Sequence, residues 1–243
     1  MPRPYTTLFP AAGGHLQRYA AVFPAVEINS SFYRPHRQAT YNRWAATVPD
    51  AFRFAVKVPR TITHHARLAD TAGLLDEFLA QVMALGEKLG PLLVQLPPSL
   101  EFCPAVARSF LASLRERFAG QVTCEPRHAT WFSPDADALL AESRVARVAA
   151  DPAVVGAAAK PGGWSGLVYY RLHGSPRVYY SAYPADYRAA LADRLIEDSK
   201  SAIVWCIFDN TAESAATTDA WDVLTRVHVT PGKSGDPRAG RIR

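Results

Sequence analysis

Cysteine is scarce in this 243-residue chain, and Cys103, Cys124 and Cys206 are odd in number and far apart. They form neither a disulfide framework nor a CxxC metal pattern, so they read as reduced thiols of a cytoplasmic protein. No apolar run approaches the ~18 residues of a membrane span, and the opening MPRPYTTLFPAAGGH lacks the continuous apolar core of a secretory signal. No Walker-type GxxxxGKS or GxxxxGKT and no GxGxxG occurs, so no nucleotide cofactor is implied. HExxH and GxSxG are also missing, which removes the usual marks of a zinc helix and a serine nucleophile. No internal repeat, low-complexity block or interdomain linker divides the chain. One domain over residues 1–230 is therefore expected, with a disordered basic tail at 231–243.

The formal charge is +5, and its placement matters. Lys233, Arg238, Arg241 and Arg243 against Asp236 leave a net +3 in residues 231–243. The tail is broken by Gly and Pro and has no hydrophobic pattern, as a solvated terminus does. The body is nearly neutral, which argues against extended duplex nucleic-acid binding.

The chain itself alternates strand-like and helix-like segments. Strands are expected at 26–29, 52–58, 91–96, 121–125, 145–150, 167–173 and 202–209. FRFAVKV (52–58) alternates without a break, and residues 71–89 repeat apolar side chains at a helical period. Most strand pairs are separated by a helix, as parallel crossovers require. This predicts an α/β fold of (β/α)8, TIM-barrel-like type with a weak or missing first strand, for which Tyr5–Phe9 is the poor candidate.

Alternate strand residues should face inward, and the inward series ends in polar groups near the strand C-termini. These are Glu27 and Asn29, Lys57, Gln95, Glu125 with Arg127 and His128 beyond it, Asp151, Arg171 and His173, and Asp209 or Asn210. Buried charges are costly unless paired. The set therefore implies either mutual ion pairs that fix packing or a ligand site. His64 lies in a loop, where a histidine can equally be a surface residue, and Phe32-Tyr33 reads as a site rim or a plain hydrophobic plug.

VEINSSFY, FAVKVPRTITHHARL, LGPLLVQLPPSL, CEPRHATWF, YYRLHG and the IFDN segment, spread over residues 15–225, resemble the domain of unknown function 72, or YecE-like, family. The resemblance implies a TIM-barrel-like fold and supplies no established reaction. The chain departs from the family where a strand and a Gly-Trp loop usually precede the first helix, and in Phe208-Asp209-Asn210 and Glu125-Pro126-Arg127-His128.

The expected function is an enzyme, or former enzyme, acting by acid/base chemistry on a small polar or anionic, sugar- or phosphate-containing substrate. Glu27, Glu125 and His173 are its candidate catalytic groups. Asn29, Tyr33, Lys57, His64, Gln95, Arg127, Asp151, Arg171 and Asn210 are its candidate substrate contacts. A divalent metal on Glu27, Glu125, Asp151 and His173 is a variant of this reading. The alternative is a non-catalytic binder of nucleic acid, a nucleotide or an anionic metabolite, with Phe32, Tyr33, Trp131 and Tyr170 stacking bases.

Overall fold

The structure is a computed structural model that describes residues 8–229 and 242–243. Nine strands are assigned among them: β1 (Ala25–Ile28), β2 (Arg53–Lys57), β3 (Leu89–Gln95), β4 (Val122–Glu125), β5 (Val145–Arg147), β6 (Ala149–Asp151), β7 (Gly162–Gly163), β8 (Leu167–Leu172) and β9 (Ile203–Phe208). They interleave with helices α1 (His15–Ala20), α2 (Ser30–Tyr33), α3 (Gln38–Thr47), α4 (Ala72–Val82), α5 (Pro104–Arg117), α6 (Pro134–Glu142), α7 (Ala185–Asp198) and α8 (Ala215–Val229). One sheet runs β1-β2-β3-β4-β5-β7 and a second runs β6-β8-β9. All pairings are parallel except the two-residue β5–β7 contact. The result is a mixed α/β fold with a parallel sheet and interleaved helices. Val148 separates β5 from β6, so the single expected strand at 145–150 is divided between the two sheets.

Sequence pattern explains the helices. In α4, Leu75, Phe78, Leu79 and Val82 fall on one stripe and are buried. In α5, Pro104 occupies the first turn, where no N–H is needed, and Ala107, Phe110, Leu111 and Leu114 form the inner face. The Ser133 hydroxyl accepts a bond from Ala136 N–H at 3.2 Å, capping α6.

The long helix expected at 71–89 stops sooner. A tight 3-10 turn follows α4 from Met83 to Lys88, and Gly86 takes the left-handed backbone value φ 56°. Strand β3 therefore begins at Leu89. Its pairing with β2 shifts register between Phe54 and Val56, opposite Gly90-Pro91, and this irregularity accommodates a proline inside a sheet. Gly90 is needed for space, because a Cβ there would lie 2.6 Å from the Trp205 ring.

Strand parity sorts the core. Phe54, Val56, Leu92, Val94, Val122 and Val145 point outward into one large cluster under the helices. Val168, Tyr170, Leu172 and Val204 do the same beneath α7 and α8. The opposite parity gathers Ala25, Ala55, Leu93, Ala146, Tyr169 and Trp205 into an interior cluster between the sheets. Ala55 and Lys57 thus lie on the face opposite Phe52, Phe54, Val56 and Val58, as the unbroken alternation of FRFAVKV requires.

Of the candidate first strand, residues 5–7 lie outside the described residues. Leu8 and Phe9 form a turn, and Phe9 packs on Tyr19 and Phe23 with ring centroids at 6.5 and 6.1 Å. Among the described residues no strand pairing joins β1 to β9. The Arg243 N–H donates to Val204 O at 2.7 Å, and the Cys206 N–H donates to Arg243 O at 2.8 Å. The tail expected at 231–243 lies outside the described residues up to 241. A cavity of about 260 Å³ separates β1 from β9, walled by Phe23, Val26, Phe208 and Val223 and reaching Glu27 and Asp209 at one end.

Candidate functional site

The inward parity that packs Ala25, Ala55, Leu93 and Tyr169 brings the next residues of the same rows to one level. Glu27 follows Ala25, Lys57 follows Ala55, Gln95 follows Leu93, Glu125 follows Thr123, and Arg171 and His173 follow Tyr169. The parallel register sets Gln95 beside Glu125, and Glu27 beside Ala55. The strand C-termini thus converge on a charged layer above an apolar one.

Arg171 is its centre. One Nη2 contact reaches Glu27 Oε1 at 2.7 Å, and Nε reaches Glu27 Oε2 at 3.1 Å, a two-pronged pairing. Nη1 reaches Glu125 Oε2 at 2.6 Å, and Nη2 also lies 3.2 Å from Asp209 Oδ2. The Tyr169 hydroxyl donates to Glu27 Oε2 at 2.8 Å. Arg171 has only 1% of its side chain exposed, so its three carboxylate partners are what make its burial tolerable.

His173 sits between two carboxylates. Its Nδ1 is 3.1 Å from Asp209 Oδ2, and its Nε2 is 3.0 Å from Glu125 Oε1. Nε2 also lies 2.9 Å from Arg127 Nη2, which itself pairs with Glu125 Oε1 at 2.6 Å. Protonated, Nε2 can donate to Glu125; unprotonated, it can accept from Arg127. Both states of the imidazole therefore have a partner waiting.

The electrostatics follow from this geometry. Burial would raise the Glu125 carboxyl, but Arg171, the His173 hydrogen bond and Arg127 outweigh it and hold it well below the usual carboxylate range. Burial likewise opposes the Asp209 anion, yet His173 and Arg171 lower its pKa. For His173, burial disfavours the cation, while hydrogen bonds to Asp209 and Glu125 win and raise it. Burial and then Arg171 push Lys57 down to about 8, against the opposing pull of Glu27, Glu125 and Asp209. Lys57 Nζ lies 4.1 Å from the Phe32 ring centroid. Among the described residues no hydrogen bond or ion pair is made to that Nζ.

The other expected contacts divide. His64 belongs to a wide π-type helical turn, Thr61–His65, and stacks edge-on against Phe32 at 5.0 Å. Its pKa is lowered by burial and by Lys57, so it stands close to the charged layer. Tyr33 is 68% exposed at the rim, edge-on to Phe32. Asn29 starts α2 and lines the cavity between β1 and β9. Asp151 stands apart: its strand parity points outward, and it accepts hydrogen bonds from Tyr183 and Tyr187. Asn210 also stands apart, donating to Asp219 Oδ2 at 2.8 Å and to Ser181 O at 2.9 Å. Asp209 takes the place in the layer beside Arg171 and His173. The alternation Trp205, Ile207, Asp209 carries that information in the sequence. Glu27, Glu125 and His173 are sealed by their partners, whereas Asp209 and Arg127 keep 17% and 19% of their side chains exposed.

Among the described residues, no group of three His, Cys, Asp or Glu side chains is arranged to hold a metal ion. The carboxylates that could serve are turned to Arg171 and Arg127, so the donor set does not fit a metal. No helix among the described residues is long and apolar enough to cross a membrane.

The fold and the charged layer define a class: an α/β protein with a parallel sheet and a buried ion cluster at the strand C-termini. The chain belongs to the family described as "Protein of unknown function DUF72", whose sequence model matches residues 3–240. It is 35% identical over 120 residues to the UPF0759 protein YecE of Escherichia coli strain K12, and 29% identical over 127 residues to UPF0759 protein YunF of Bacillus subtilis strain 168. These matches take in 49% of this chain and only 43% and 44% of the relatives, so they span less than half of either protein. In structure it resembles a DUF72 family protein from Enterococcus faecalis V583, with a TM-score of 0.77, 21% identity and 96% of each chain covered. A DUF72 family protein from Thermotoga maritima MSB8 gives 0.74, 22% identity, and 90% and 92% coverage. At such identities these structures speak for the fold.

Proposed function

We propose that this protein is an enzyme that acts by acid/base chemistry on a small polar or anionic, sugar- or phosphate-containing substrate. The site is the charged layer at the strand C-termini of a (β/α)8-like frame whose first strand position is poorly filled. The observation that carries this reading is the unequal burial of one linked network. Glu27, Glu125, Arg171 and His173 are sealed by each other, while Asp209 and Arg127 reach solvent at its edge and Lys57 is buried beside them. Asp209 then meets substrate with His173 behind it as its proton partner, and Glu125 and Arg127 serve either state of that imidazole. Lys57 and Arg127 offer cationic contacts, with His64 and Tyr33 at the rim. The free thiols of Cys103, Cys124 and Cys206 fit a cytoplasmic setting.

A panel of small sugar phosphates and polyols, followed by melting temperature and product analysis, tests the reading. One class should stabilise the wild type by a few degrees and be turned over. Asp209→Asn should keep the fold and lose roughly 10²–10⁴ of the rate. A panel silent in binding at low salt would sink the proposal. Binding without turnover would instead favour a non-catalytic receptor of an anionic metabolite or nucleotide, the reading that the exposed Tyr33 ring supports by packing on Phe32, whose own ring lies under Lys57.

A further inference from the structure

Lys57 differs from the other described lysines. Lys88 is held by Ala45 O at 2.8 Å, Val48 O at 2.7 Å and the Asp50 carboxylate. Lys200 pairs with Glu197, and Lys160 is exposed. Lys57 is 7% exposed, yet its amine is committed to no oxygen among the described residues. Its backbone is held in place. Ser31 Oγ lies within hydrogen-bond reach of two carbonyls, Lys57 O at 2.7 Å and Ile28 O at 2.9 Å, and its one proton is shared between them at the ends of β2 and β1. The Phe32 ring then floors the amine. A buried lysine kept only to neutralise the layer would sit against a carboxylate, and here Arg171 already takes all three.

We propose that Lys57 is a nucleophile that captures the carbonyl carbon of an aldehyde or ketone substrate as an imine. This rests on the reading of the strand C-termini as a substrate site, and it narrows the substrate to one bearing a carbonyl. The neutral Nζ adds its lone pair to the carbonyl carbon, and a proton passes from nitrogen to the new alkoxide, giving a carbinolamine. Protonation of that hydroxyl and loss of water leave the iminium; one water departs and no oxidant or reductant is consumed. The positive iminium keeps the Phe32 face beneath it and the field of Glu27, Glu125 and Asp209 around it. His64 on the Phe32 edge and the His173–Asp209 pair are the proton carriers nearest to that layer. The amine is available near neutrality. With burial and Arg171 pushing Lys57 down to about 8, roughly a quarter is neutral at pH 7.5, against about 0.1% of an ordinary lysine.

Reductive trapping tests this. The full chain is incubated with dihydroxyacetone phosphate or D-glyceraldehyde and sodium cyanoborohydride, then examined by intact mass and peptide mapping. One reduced adduct is expected, on Lys57, at least tenfold faster than on any other lysine and with a labelling midpoint near pH 8. Lys57→Arg and Lys57→Met should stay unlabelled there while melting within a few degrees of wild type. Equal labelling of Lys88, Lys160 and Lys200, an undiminished adduct yield in Lys57→Arg, or a midpoint above pH 10 overturns the proposal. If these probes raise the melting temperature of the wild type without reductant yet leave no adduct, the imine fails and the substrate site stands. If they neither stabilise nor label, the two fail together for this substrate class.

Discussion

The two sheets contribute opposite things to the same site. The six-stranded sheet supplies Glu27 from β1, Glu125 from β4 and Lys57 from β2. The three-stranded sheet supplies Arg171 and His173 from β8 and the turn beyond it, and Asp209 just after β9. Two carboxylates on one side thus meet a guanidinium and an imidazole on the other. Backbone pairing does not run continuously through Val148, and among the described residues it does not link β1 to β9. The charged layer and the interior apolar cluster join the two sheets on the inside. A cluster placed this way can position reactive groups only because it also fastens the molecule.

The comparison breaks most visibly at Arg171. Arg171→Met should cost roughly 3–5 kcal/mol, since Glu27 would remain buried with only the Tyr169 hydroxyl and Glu125 would keep only Arg127 and His173. Thermal unfolding should fall by on the order of 10 °C. The exposed Arg108–Glu142 pair is the control within the six-stranded side, and Arg108→Met should change stability by less than about 0.5 kcal/mol. Equal losses in the two variants would contradict the assignment of Arg171 as the fastening.

Acidity should sharpen the comparison with a smaller effect. Glu125 and Asp209 have lowered folded pKa values, so their contribution is present above about pH 4 and is lost as pH falls through the folded values. His173 has a raised folded pKa, so its contribution is full below about pH 6.5 and is lost as pH rises through the folded value. Melting measured from pH 3 to 9 should therefore peak on the weakly acidic side of neutral. Asp209→Asn should flatten both limbs, and an unchanged profile in that variant would exclude the His173–Asp209 coupling.

Lys57→Met should have the least effect, within about 1 kcal/mol of wild type at pH 7, because no ion pair is lost. Burial holds the folded pKa of Lys57 at about 8, so wild-type stability gains a rising term from about pH 8 to about 10.4. The Met variant lacks that term. A large loss of stability at neutral pH would instead make Lys57 part of the fastening.

Much of this was legible from side-chain period alone. FRFAVKV divides into Phe54 and Val56 outside and Ala55 and Lys57 inside, as its alternation requires. VEIN does so too, with Ile28 outward and the Glu27 carboxylate inward on Arg171. The same rule, applied strictly, separates Asp209 from Asn210 and turns Asp151 away, so the expectation that Asp151 and Asn210 meet substrate departs from it by a step of one residue. Which charges pair with which was not legible. Glu27 and Arg171 are 144 residues apart, and only the packed sheets decide that Arg171 meets three carboxylates while Lys57 meets none. The π-type turn at Thr61–His65 and the short helix at Ser30–Tyr33 also carry no distinctive periodicity, being too brief for one.

The stacked pair beneath the charged layer has an optical consequence. Trp205 lies parallel to Tyr169, with ring centroids 5.9 Å apart and planes 8° from parallel, and its buried indole Nε1 has no hydrogen-bond partner among the described residues. Tyr169 in turn donates to Glu27, one oxygen from Arg171. The site is thereby wired to an intrinsic fluorophore shielded from water. With Trp44, Trp131, Trp164 and Trp221 replaced by phenylalanine, the emission of Trp205 is expected to shift when the charge or occupancy of the layer above it changes.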